Sequence, residues 1–191
     1  MASTKHRGAG FSLVEVLVSI VVLSVGLLGA MHMLLASVRA SNEAATFTAA
    51  LNLVRELSEK ARMNTGAPAN AYLVESWTEA DAGTDAVGPG CAAAGVACSP
   101  AQLAAWDMQE WKRSVASALP DARLSICVDD ALWNEAADAY AWACSHAGRN
   151  VVVKLGWMPR NAVSKTPALQ SAPRLVMQLV PMRARNGHAD S

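Results

Sequence analysis

The sequence predicts an α+β fold: one long N-terminal α-helix, half membrane-type and half amphipathic, packed on a small antiparallel β-sheet with an additional helix. Three observations predict it. From Val16 to Val38 no residue carries a formal charge, His32 being the only titratable group. Beyond Arg39 the apolar positions Phe47, Leu51, Val54, Leu57 and Ala61 recur at helical spacing. Farther on, three short stretches alternate side chains with period two and are rich in β-branched residues.

The uncharged run sets the first element. At about 1.5 Å per residue it is long enough to cross the roughly 30 Å hydrocarbon core of a bilayer. Lys5, His6 and Arg7 precede it, with no acid before Glu15. Positive flanks stay on the cytoplasmic side, so Met1 is expected inside and the chain after Arg39 outside. A secretory signal peptide has a shorter apolar region and a small-residue cut, of which Ser37-Val38-Arg39-Ala40 is a poor version. A plain anchor explains the length but not Glu15, because a carboxylate deep in a membrane helix costs about 2.5–3.5 kcal/mol and calls for a partner.

The stretch Gly10-Phe11-Ser12-Leu13-Val14-Glu15, followed by that long apolar helix, resembles the prepilin processing signal of type IV pilins and pseudopilins. The resemblance implies cleavage between Gly10 and Phe11 by a prepilin peptidase and N-methylation of Phe11. It also implies that Glu15 pairs with the new amine of a neighbouring subunit during filament assembly. The chemistry is consistent, since cleavage frees a cation one helical turn from a carboxylate that needs one in a low-dielectric setting.

Past the span, Glu56 and Lys60 form a favourable i, i+4 pair on the outer face, and Asn64-Thr65-Gly66 followed by Pro68 reads as a helix stop. The first helix therefore runs for roughly fifty residues, and its amphipathic half must lie against the rest of the chain. Gly26 and Gly29 within the apolar half suit close helix packing. Local melting on assembly is the sharper reading, and it comes from the pilin resemblance.

Residues 67–99, rich in Ala, Gly, Pro and Asp, read as a long irregular connection. Ser99 as N-cap, Pro100 at the first helical position and Gln102 closing a capping box announce a second helix. Its buried stripe is expected to use Leu103, Trp106, Trp111 or Met108, Val115 and Leu119, with Pro120 as terminator. The strand candidates are Arg123 to Val128, Val151 to Trp157, and Leu175 to Val180. An antiparallel meander on the outer half of the first helix is the simplest assembly, and it matches pilin architecture. The expected segments are a leader at 1–10, a membrane or filament-core helix at 11–38, its amphipathic continuation at 39–66, an α+β head at 67–182 and a polar tail at 183–191.

Four cysteines, all after the span, point to disulfides in a non-cytoplasmic compartment. Cys91 with Cys98 and Cys127 with Cys144 are the favoured pairs, since each closes a local loop; a zinc site of Cys127, Cys144 and His146 is the alternative. No cofactor or metal is expected. Formal net charge is zero, with 16 basic and 16 acidic residues and no basic stripe, so nucleic acid is not an expected partner. His6 lies in the leader, His32 in the span and His188 in the tail. That leaves His146 for acid–base work, and no GxSxG, HExxH or Walker pattern occurs. Asp129-Asp130 reads as a solvated turn, and the protein as a non-enzyme.

Within the superfamily, Phe11 to Val18 with its Gly-Leu-Leu-Gly continuation, Leu103 to Pro120, and Val151 to Trp157 resemble the PilV-type minor pilins, the type IV pilus modification proteins. That resemblance implies a low-abundance subunit of the tip or priming complex which promotes assembly of the major pilin, and thereby motility or adhesion. Its implied partners are prepilin peptidase, other minor pilins, the major pilin and the inner-membrane assembly platform. It implies a single pass through the bacterial inner membrane with a periplasmic head, and later a place at the cell surface. A minor pseudopilin of type II secretion shares the same anchor. An anchored surface binder, whether adhesin or DNA-uptake receptor, is the reading from a different class.

Overall fold

The computed structural model describes residues 12–83, 90–93, 95–159 and 171–183. Gly10 and Phe11, the basic leader, and the tail from 184 lie outside the described residues. The chain forms two compact units, Met1–Asn42 and Glu43–Ser191.

Helix α1 runs Leu13–Met63, 51 residues, matching the expected length. Its apolar side chains as far as Val38 are exposed, from Leu13 at 87% to Val38 at 49%. Ser19 and Ser24 satisfy their hydroxyl protons within the helix by donating to the carbonyls four residues back. In the second unit the stripe turns inward: Ala50, Leu53, Val54, Leu57 and Ala61 are buried in one core with both helices' partners. Phe47, expected in that stripe, is 41% exposed and instead tilts against Trp157, ring centroids 6.1 Å apart. The helix ends at Met63, and Gly66 has a use beyond ending it: a Cβ there would come within 2.9 Å of Pro100 Cγ.

The connection after α1 is more ordered than its composition suggests. It contains strand β1 (Val74–Thr78) and a 3₁₀ turn at Glu79–Gly83. Asp81 fastens that turn by accepting from the backbone N–H and the hydroxyl of Thr78, both at 2.8 Å.

Helix α2 (Pro100–Ala118) begins as its capping residues predict. Ser99 Oγ accepts from Gln102 N–H and Gln102 Oε1 accepts from Ser99 N–H at 2.9 Å. Met108 and Trp111 are both buried, along with Val115 and Leu119, but Leu103 is 37% exposed and Trp106 only half-buried. The buried face passes through Ala104 and Asp107 instead, small or hydrogen-bonded residues that a search for large apolar side chains overlooks.

A four-stranded antiparallel sheet, ordered β1-β2-β5-β6, completes the core, with β2 at Arg123–Val128, β5 at Asn150–Gly156 and β6 at Leu175–Arg183. The three expected strands are present in the expected meander, and β1 adds a fourth at one edge. Between β2 and β5 a two-stranded hairpin is inserted, β3 (Trp133–Asn134) with β4 (Ala139–Tyr140). Leu124 and Ile126 of β2, paired with Leu155 and Val153 of β5, share the core with the α1 stripe.

Two polar links tie the helices through this core. The Trp111 indole N–H donates to the Leu53 carbonyl of α1 at 2.7 Å. At the end of α1, Asn64 Nδ2 donates to Tyr72 OH (3.1 Å) and to the Pro100 carbonyl (2.8 Å), and Tyr72 OH donates to Asp107 Oδ2 (3.2 Å). Burial pushes the Tyr72 phenol up to about 12, against the pull of the Asn64 amide. Burial likewise lifts the Asp107 carboxyl above its ordinary range, in spite of the Tyr72 hydrogen bond and the Lys60 charge.

Trp111→Phe removes the buried N–H donor together with half of the buried indole, so it is expected to destabilise the head by about 2–4 kcal/mol, read from denaturant unfolding of the chain in detergent. Unchanged stability would mean that neither this ring nor its hydrogen bond holds α2 to α1.

Candidate functional site

Two places carry polar chemistry in a setting that needs explaining. The first is the start of α1. Ser12 precedes it, and its carbonyl accepts from Glu15 N–H at 3.0 Å. Glu15 stands in the first turn, where the helix dipole favours an anion, and is exposed among exposed Leu13, Val14, Val16 and Leu17. Among the described residues nothing forms a salt bridge with it. From here to Val38 the helix presents exposed apolar side chains over a length sufficient to cross a membrane. A carboxylate at the end of such a rod wants a cation from elsewhere.

The second place is the sheet face turned away from the core. Alternation puts Arg123, Ser125 and Cys127 of β2 beside Gly156, Lys154 and Val152 of β5. The Lys154 side chain is wholly buried there and forms an ion pair with buried Asp129, Nζ to Oδ2 2.5 Å. It also donates to the Ala143 carbonyl at 2.8 Å. The other Asp129 oxygen accepts from the backbone N–H groups of Ala131 (3.0 Å) and Ser145 (3.1 Å). Burial opposes ionisation of Asp129, but the Lys154, Ala131 and Ser145 hydrogen bonds outweigh it and hold the carboxyl down to about 2. Asp129 is therefore the hub of the insertion, which corrects its reading as part of a solvated turn.

Cys127 and Cys144 are joined in a disulfide, and so are Cys91 and Cys98. The zinc alternative gives way to this bond: both sulfurs are committed to each other, and His146 sits instead beside Glu75 (Nδ1 to Oε1 3.7 Å). Trp142 lies over the same sheet face. Its ring fills the space of a missing side chain, since a Cβ on Gly156 would meet it at 2.8 Å, and the Arg123 guanidinium stacks 4.2 Å from the ring centroid. The one charge in the run Val151-Val152-Val153-Lys154-Leu155 was the available signal for this anchor.

Comparison with known families bears on the first place. The prokaryotic N-terminal methylation motif matches residues 5–31, the stretch that holds Glu15 and the start of the apolar rod. The family described as Type IV pilin Tt1218 matches residues 32–109, from the apolar helix into α2. The chain belongs to the type IV pilin family. Neither a curated protein nor a solved structure matches it. Pilins are structural and non-enzymatic, and the methylation motif implies processing by prepilin peptidase and use of the pilus assembly machinery. The pilin has the α+β architecture of its family: a long first helix, a second helix and an antiparallel sheet. No motif assigns the second place, the anchored insertion.

Lys154→Met in this pilin leaves Asp129 buried without its cation and is expected to cost about 3–5 kcal/mol, whereas Lys154→Met with Asp129→Leu recovers most of it. The sign with pH follows from the depressed carboxyl. Its stabilisation is whole above the unfolded value of about 3.9 and is lost as pH falls toward about 2. Acid unfolding of the wild type against the double variant measures it, and a double variant with the same acid dependence would remove Asp129 from the account.

Proposed function

We propose that this pilin is a minor subunit of a type IV pilus, inserted through the inner membrane with its N-terminus cytoplasmic and its head periplasmic. Residues 1–10 act as the leader; prepilin peptidase cuts between Gly10 and Phe11, and Phe11 is N-methylated. The new cation stands four residues before Glu15 in its own chain, and Glu15 pairs with the amine of a neighbouring subunit as the filament grows. Residues 11–38 enter the filament core, 39–66 carry the helix into the head, 67–182 form the head and 183–191 a polar tail. The likeness to PilV-type minor pilins supports a place in the tip or priming complex, with other minor pilins, the major pilin and the assembly platform as partners and motility or adhesion as the outcome.

The observation that supports this reading best is Glu15, a carboxylate in the first turn of a helix whose apolar side chains are exposed. In the membrane a lone subunit can hydrate that carboxylate near the interface; inside a bundle of helices only a cation relieves it. Assembly and charge neutralisation are then one step.

Glu15→Ala is expected to leave membrane insertion intact and to lower recovery of the protein in sheared filaments by at least about tenfold, measured by quantitative mass spectrometry. The same spectra should show a methylated Phe11 as the first residue. Normal incorporation of the variant removes the role given to the carboxylate. A secretion pseudopilus has the same assembly logic, and the protein would then be missing from sheared surface filaments while its processing stayed intact.

A further inference from the structure

The hairpin β3–β4 stands out on the head surface. Trp133 and Tyr140 are cross-strand partners whose rings meet edge to face, centroids 5.3 Å apart, yet they remain 50% and 43% exposed. Between them the connecting turn carries Glu135 and Asp138, both exposed. From Asp129 to Gly148 the sequence has four carboxylates and neither lysine nor arginine. Among the described residues, Glu135 and Asp138 form no salt bridge. Two aromatic faces, electron-rich at their centres, therefore flank a turn with two carboxylates that no described residue neutralises.

That combination favours one chemistry. A cation over an indole or phenol ring is attracted by the ring quadrupole, and a carboxylate within reach adds a charge-assisted hydrogen bond. Tyrosine and tryptophan are also the residues on which protein contacts concentrate their binding energy. The hairpin is held in place at its base by the Cys127–Cys144 disulfide, the buried Asp129–Lys154 ion pair, and, at the surface, Asp130, which accepts from the Ser145 hydroxyl at 2.8 Å. A pre-ordered projection loses little freedom on binding.

We infer that the β3–β4 hairpin is a docking site for a lysine- or arginine-bearing segment of a partner protein, with Trp133 and Tyr140 as the platform and Glu135 and Asp138 as the charge partners. This does not depend on the filament reading; it concerns the head surface and holds for any assembly that presents such a segment.

The test uses the full chain in an uncharged detergent, with the tryptophan indole N–H resonances followed by NMR and Trp133 assigned from Trp133→Phe. The probe is a tetra-arginine peptide, with its citrulline counterpart as the neutral control. The Trp133 resonance is expected to shift saturably with the arginine peptide, more weakly at high salt, and not with citrulline. Glu135→Gln with Asp138→Asn keeps the shape of the turn, because asparagine tolerates the positive φ of 47° at position 138. That double variant should weaken binding by about fivefold, and Tyr140→Ala by about threefold. Equal binding of the citrulline peptide, or a double variant that binds as the wild type does, overturns the inference. So does a response to a neutral cello-oligosaccharide in place of the arginine peptide, which would make the hairpin a carbohydrate platform.

Discussion

One helix has to satisfy two different surroundings along its length, and the rest of the chain follows from that. From Val16 to Val38, α1 offers a predominantly apolar surface without a formal charge; from Ala50 on, only a stripe is apolar, and the head is built on that stripe. The change is written in charge. Arg39 and Glu43 are the first formal charges after Glu15, and past them the opposite face of the helix can meet water. The head supplies what the stripe lacks: α2 contributes Trp111 and Val115, β2 and β5 contribute the even and odd positions of one sheet face, and all share a single core.

The sheet is covered on its other face by a different device. There the chain lays the insertion between β2 and β5 and fixes it with a covalent bond, an ion pair and an aromatic ring. Each handles a separate difficulty. The disulfide limits the freedom of a loop whose ends are 17 residues apart, a contribution of about 3 kcal/mol in the chain-entropy view. The Lys154–Asp129 pair gives the loop a register, because a buried ammonium accepts only an arrangement that surrounds it with oxygens. Trp142 supplies the apolar area.

Much of this was legible in the sequence. The uncharged run, the amphipathic repeat beyond it and the Asn64-Thr65-Gly66 stop gave α1 its length, the Ser99–Gln102 capping box gave α2 its first residue, and period-two alternation gave β2, β5 and β6. Strand β1 escaped because its pairing with β2 shifts register between Val74 and Trp77, which breaks the alternation that marks a strand, and because Glu75 and Ser76 dilute it. The stripe of α2 was drawn through its largest side chains, so Leu103 and Trp106 were expected in a core that accepts Ala104 and Asp107 instead. Asp107 belongs inside because Tyr72, thirty-five residues earlier, reaches it and Lys60 of α1 stands near it, and no local pattern announces such a meeting. The same holds for Asp129: an acidic pair at a strand end looks solvated until a lysine from the middle of the next long strand arrives beneath it. Glu15, by contrast, needed no tertiary information, since its oddness is its neighbours.

Gly156 and Trp142 occupy one volume between them. The ring stands where a methyl group on the strand would have to go, so neither position can drift alone. Among relatives that keep this insertion, a larger residue at the strand position should travel with a slimmer one on the loop, and a chain that loses the loop should be free to abandon the glycine. The two residues make up a single heritable character, carried at sites fourteen apart in the chain.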